Sequence, residues 1–87
     1  MAKYNITFKK SVAKDLRNIS AADLKRILKK IDTLAENPRA YGCIKLSAQE
    51  RYRVREGLYR IIYEICDEKL VVQIVKVAHR STAYRNK

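Results

Sequence analysis

The chain has 87 residues, with 20 Lys and Arg against 9 Asp and Glu, for a formal net charge of +11. That length bounds it to a single domain, residues 1–87, with one modest core. A charge this large on so small a body favours polyanions over neutral metabolites. Nucleic acid or an acidic protein is therefore the expected partner, with a merely solvated basic surface as the alternative.

Met1–Lys10 holds no apolar run long enough for a signal or a membrane span, and no later segment does. The expectation is a cytoplasmic protein with no membrane partner. Tyr4, Ile6 and Phe8 alternate with polar neighbours and predict a short first strand. Val12, Leu16 and Ile19 then fall at helical spacing, for a short helix stopping near Asn18. Ser20-Ala21-Ala22-Asp23 resembles a capping box with Asp in place of Glu or Gln. It opens a second helix whose stripe is Leu24, Ile27, Leu28, Ile31, Leu34 and Ala35. Lys25, Arg26, Lys29 and Lys30 cover its other side, read as a solvated face, and Asn37-Pro38 ends it. The two helices are expected to form a hairpin lying on a sheet.

Residues 39–50 read as a loop turning at Tyr41-Gly42. Three strands are expected next, over about Arg51–Arg55, Leu58–Cys66 and Lys69–Ala78. Glu56-Gly57 and Asp67-Glu68 serve as two-residue hairpin loops. The predicted fold class is α+β: an N-terminal strand, a helical hairpin, then a three-stranded antiparallel meander, with the helices on one face of one sheet. Cys43 and Cys66 lack metal-ligand spacing; with one His, neither a structural zinc nor any other cofactor is expected. Cys66 reads as a small core residue. Tyr41, Tyr52, Tyr59 and Tyr63 read as core or edge aromatics.

Those loops imply a register. Arg53 would oppose Arg60, and Arg60 would oppose Val75. Arg53, Arg55, Arg60, Gln73, Val75, Val77 and His79 would share one face, opposite the apolar set Val54, Ile61, Tyr63, Ile65, Leu70, Val72 and Ile74. Lys76 then falls on the apolar side, so either it snorkels past the sheet edge or a bulge shifts the phase. Like charges facing each other across a strand pair repel, and a bound polyanion relieves that repulsion. Arginine suits the task because its planar fork grips phosphate oxygens.

The run from Arg51 to Ile65, Arg-Tyr-Arg-Val-Arg-Glu-Gly-Leu-Tyr-Arg-Ile-Ile-Tyr-Glu-Ile, resembles the central signature of the RelE toxin family. The ending from Val75 to Arg85, Val-Lys-Val-Ala-His-Arg-Ser-Thr-Ala-Tyr-Arg, resembles its C-terminal signature. The resemblance implies a ribosome-dependent endoribonuclease that cuts messenger RNA in the decoding site. It also implies an antitoxin partner of RelB type with an acidic segment. In that family the RNA's own 2′-hydroxyl attacks the adjacent phosphate. By the resemblance, Arg60 holds the scissile phosphate, Arg80 lies near the leaving group, and Tyr84 is the C-terminal tyrosine. Arg53 and Arg55 take the places of two basic residues lining the site; Arg51 and Arg85 join them as RNA-binding candidates.

The reaction needs a base for the 2′-hydroxyl, a stabiliser of the dianionic phosphorane and an acid for the leaving 5′-oxygen. Lysines stand at the positions of Arg53 and Arg55 in the best-known pattern of the family. Arginine stays protonated, so these two fit electrostatic roles and not that of base. His79 and Tyr84 are the two candidate bases. His79 has the nearer intrinsic pKa, and Tyr84 needs its hydroxyl acidified by the surrounding cations. Two other classes compete with the nuclease: a ParE-type poison of DNA gyrase on the same scaffold, and a passive basic RNA-binding module.

Overall fold

The computed structural model describes residues 3–46 and 51–79. Among them run β1 (Asn5–Phe8), α1 (Lys10–Arg17), α2 (Ala21–Glu36), β2 (Ile44–Lys45), β3 (Arg51–Glu56), β4 (Tyr59–Cys66) and β5 (Val71–His79). The strands make one sheet in the order β1-β5-β4-β3-β2. β1 lies parallel to β5, and the remaining neighbours are antiparallel. The fold is α+β, and the expected meander forms its centre.

The helix boundaries follow the local signals. Ser20 Oγ accepts from the Asp23 amide at 3.3 Å, satisfying one of the unpaired donors at the start of α2. Asn18 and Asn37 cap the two helix ends. Val12 of α1 and Ile27, Ile31 and Leu34 of α2 pack on Tyr52, Val54, Ile61, Tyr63, Ile65, Val72, Ile74 and Val77 of the sheet. Leu28 sits at the margin of the α2 stripe and is exposed. Tyr52 and Tyr63 are buried and stacked, whereas Tyr41 stands fully in solvent instead of at a packed edge.

Four sequence expectations change. The loop after α2 contains a short edge strand, with Ile44 paired to Arg53 and Lys45 to Tyr52. Two residues of pairing carry almost no periodicity, so nothing in the sequence announces it. The first hairpin turns at Gly57-Leu58, with Glu56 paired to Tyr59. Gly57 has φ +60° and Leu58 has negative φ. Glycine first and negative φ second is the sign pattern of a type II′ turn, so glycine takes the first loop position and not the second. The strand pairing slides by two residues, which keeps every side chain on its expected face but changes its partner.

The second hairpin is wider than expected. Asp67–Leu70 forms the turn, Cys66 pairs with Val71, and Leu70 adopts φ +53°. Leu70 is consequently exposed and absent from the sheet floor. Cys66 is half-buried.

The fourth change is a bulge in β5. Ile62 pairs with Lys76 and Tyr63 with Ile74, so Val75 has no opposite residue. Unbroken alternation after Val72 and Ile74 would drive Lys76 into the core. Burying a lone ammonium costs several kcal/mol, far more than the roughly 1 kcal/mol of a lost ladder bond. The bulge instead buries Val77 and brings Lys76 Nζ to 3.2 Å from Asp15 Oδ1 on α1. The alternatives for Lys76 resolve in favour of the bulge.

Candidate nucleic-acid interface

β3 and β4 turn Tyr52, Val54, Ile61 and Tyr63 toward the helices. Alternation therefore puts Arg51, Arg53, Arg55, Arg60, Ile62 and Glu64 on the opposite, open face. Arg55 stands directly across from Arg60, and Arg53, across from Ile62, is diagonal to Arg60. The expected face is kept, but Arg55 takes the place expected of Arg53.

The arginines of this face differ in their surroundings. Arg51 is held by Glu64, its cross-strand partner, with Nε at 3.0 Å from the carboxylate. Arg55 is exposed, while Arg53 and Arg60 are half-buried. The Arg53 Nε is buried and has no hydrogen-bond partner among the described residues. Such a donor gains most from an incoming acceptor, because its desolvation has already been incurred. Farther along the same sheet, Thr7, Glu64, Cys66, Lys69, Val71 and Gln73 line a groove of about 440 Å³. Chemically, this face can bind a phosphodiester through charge and paired N–H donors.

His79 is not on that face. The bulge inverts the phase of β5 beyond Val75, so Val77 enters the core and His79 pairs with Tyr59 on the helix side. Their rings meet edge to face, centroids 5.3 Å apart and planes at 72°. With Asp23, Arg26, Ile27, Glu56 and Leu58 they line a crevice of about 180 Å³ between α2 and the first hairpin. The shared face expected for His79 and the arginines is therefore corrected, as it is for Val77. Arg80, Tyr84 and Arg85 lie outside the described residues.

Two positioning networks were not legible in the sequence. Arg39, in the loop after α2, donates to both Asp67 carboxylate oxygens at 3.1 and 2.8 Å and to Tyr52 Oη at 3.2 Å. Tyr4 Oη also donates to Asp67 at 2.7 Å. The hydrogen bonds from Arg39, then from Tyr4, lower the Asp67 carboxyl to about 2. Tyr4's phenol is raised, first by its bond to Asp67. In the second network, Asp15 accepts from Lys76 Nζ and from the Val77 amide at 3.3 Å, tying the end of β5 to α1. No helix among the described residues is long and apolar enough to cross a membrane.

The sequence profile of the ParE toxin of type II toxin-antitoxin system, parDE, matches residues 6–84. The chain belongs to this toxin family. Within it the likeness is to RelE members. The toxin is 33% identical to "Putative toxin RelE1" of Methanocaldococcus jannaschii, over 97% of this chain and 98% of that one. It is 27% identical to the "mRNA interferase toxin RelE" of Escherichia coli K12, over 88% and 83% of the two chains. It superposes on a chain of the archaeal RelE-RelB complex from Pyrococcus horikoshii with a TM-score of 0.78 and 27% identity. That match covers 90% of this chain and 96% of the other. It is a RelE-family toxin of a type II toxin–antitoxin system.

Proposed function

We propose that this toxin, acting as one domain over residues 1–87, is an endoribonuclease that cuts messenger RNA in the ribosomal decoding site in the cytoplasm. The 2′-oxygen of the RNA forms a bond to the adjacent phosphorus while the bond to the 5′-oxygen breaks, leaving a cyclic phosphate. The 2′-hydroxyl proton goes to a base on the toxin, and an acid delivers a proton to the leaving oxygen. Arg60 holds the scissile phosphate and stabilises the phosphorane, with Arg53 and Arg55 adding charge. Arg80 serves the leaving group. The position of His79 beside Tyr59 favours Tyr84 as the base.

The observation that carries this reading is the arginine pair Arg55–Arg60 on an open sheet face, with Arg53 diagonal to it. The substrate supplies its own nucleophile, so the toxin needs no nucleophilic side chain of its own. The E. coli relative named as an mRNA interferase supports the same activity. The Pyrococcus complex and the charge of +11 support an acidic RelB-type antitoxin that covers the arginines.

Mapping transcript ends in a translating extract tests the reading. Cuts inside ribosome-bound codons, ending in cyclic phosphates, are expected. A ParE-type action, which the name of the matched profile brings forward, would leave transcripts whole and instead produce gyrase-dependent breaks in supercoiled DNA.

A further inference from the structure

We propose that His79 is a positioning residue for Arg60, acting through Tyr59, and is not the proton acceptor. This rests on the ribonuclease reading above. Tyr59 and His79 form the last rung of the β4–β5 ladder, and the next rung is Arg60 with Ala78. β1 pairs only with Val71–Ile74, so it does not reach this end of β5. Among the described residues, β4 on one side and Asp15 of α1, which accepts from the Val77 amide, hold this end. A strand end with so little ladder support frays unless side chains tie it. The edge-to-face contact of His79 on Tyr59 supplies that tie, the quadrupole geometry that aromatic pairs favour.

The bulge at Val75 makes this arrangement possible. It sends His79 to the helix side, one rung from Arg60 but on the other face. From there the imidazole packs on Tyr59, the chain neighbour of Arg60, and so sets the backbone that carries the Arg60 guanidinium.

The groups facing His79 across the adjoining crevices are Asp23 and Arg26 of α2, Glu56 at the first hairpin, and Asp15 and Lys76 at the α1–β5 contact. Opposite charges stand on each side. A positioning role needs only the aromatic ring, so it predicts no dependence on the protonation of position 79.

The test is single-turnover cleavage of a ribosome-bound message over pH 5.5 to 8 (roughly the range in which an imidazole titrates), with wild type, His79→Phe, His79→Ala and Tyr59→Ala. Positioning predicts that His79→Phe retains the wild-type rate and pH profile. His79→Ala and Tyr59→Ala should each lose about three- to tenfold in kcat, and a variant combining both substitutions, measured beside them, should lose no more than either. A proton acceptor predicts that His79→Phe and His79→Ala both fall by about 10²–10⁴-fold, with one ionisation gone from the profile; that result overturns the proposal. Amide exchange at Tyr59–Ile61 and Val77–His79 gives a readout without RNA. It should quicken in His79→Ala and stay unchanged in His79→Phe, and equal rates in all variants overturn the proposal. A wild type that cuts no message defeats the ribonuclease reading alone, because the exchange measurement still decides the role of His79.

Discussion

Arg55 of β3 and Arg60 of β4 face each other directly across the antiparallel ladder, on the side of the sheet away from the helices. Two like charges in that position work against the fold that carries them, by about 0.2–1 kcal/mol on the cross-strand scale. The Glu64 carboxylate on the same face is engaged by Arg51, four rungs away. A bound polyanion would relieve the repulsion.

Replacing one member of the pair separates stability from function. Arg55→Gln should raise the urea midpoint of the free toxin slightly at low salt, and the gain should shrink as salt screens the pair. The same variant should bind RNA more weakly, with a shallower dependence of affinity on salt. Denaturation and binding titrations, each at two salt concentrations, check both halves. Unchanged binding would remove Arg55 from the interface.

Asp67 gives a stability signature in acid. Its carboxyl is lowered from 3.8 to about 2 by the hydrogen bonds from Arg39 and Tyr4. The folded state therefore holds its proton less tightly than the unfolded chain. The resulting stabilisation is fully present above about pH 4 and is lost as pH falls toward 2. In urea melts between pH 5 and 2 (roughly the window of carboxylate titration), Asp67→Asn should be less stable than wild type at the upper end. The two curves should converge at the lower end, and parallel curves would show that Asp67 is not coupled to folding.

Tyr63 ties the end of α2 to the middle of the sheet. Its hydroxyl donates to the Pro38 carbonyl at 2.6 Å from a fully buried position, and burial is the main cause of its raised pKa. Tyr63→Phe keeps the ring stacked on Tyr52 but leaves a buried carbonyl without its donor. The expected cost is about 1–3 kcal/mol, read as a lower urea midpoint with the same slope. An unchanged midpoint would mean that water replaces the phenol.

The sequence disclosed most of this architecture because its signals are local. Ser20 with Asp23 marked the start of α2, Asn37-Pro38 its end, and alternation in Arg51–Glu56 and Tyr59–Cys66 the two central strands. The arginine face was legible for the same reason, since a shift of pairing by two residues leaves faces intact. What escaped depends on distance or on one extra residue. Arg39 and Asp67 meet only through the tertiary fold. The bulge at Val75 hid behind an apparent choice about Lys76, and by inverting the phase it moved His79 to the far side of the sheet. A single lysine at a core position of an otherwise apolar strand was the visible trace of that inversion.

The central claim is that the arginine rung holds a phosphoryl group during transfer. The direct measurement is single-turnover cleavage of a ribosome-bound message by wild type and Arg60→Ala, after circular dichroism has shown both to be folded. The account predicts cyclic-phosphate ends from wild type and a loss of about 10²–10³-fold in rate for Arg60→Ala. Cleavage by Arg60→Ala at the wild-type rate would contradict it.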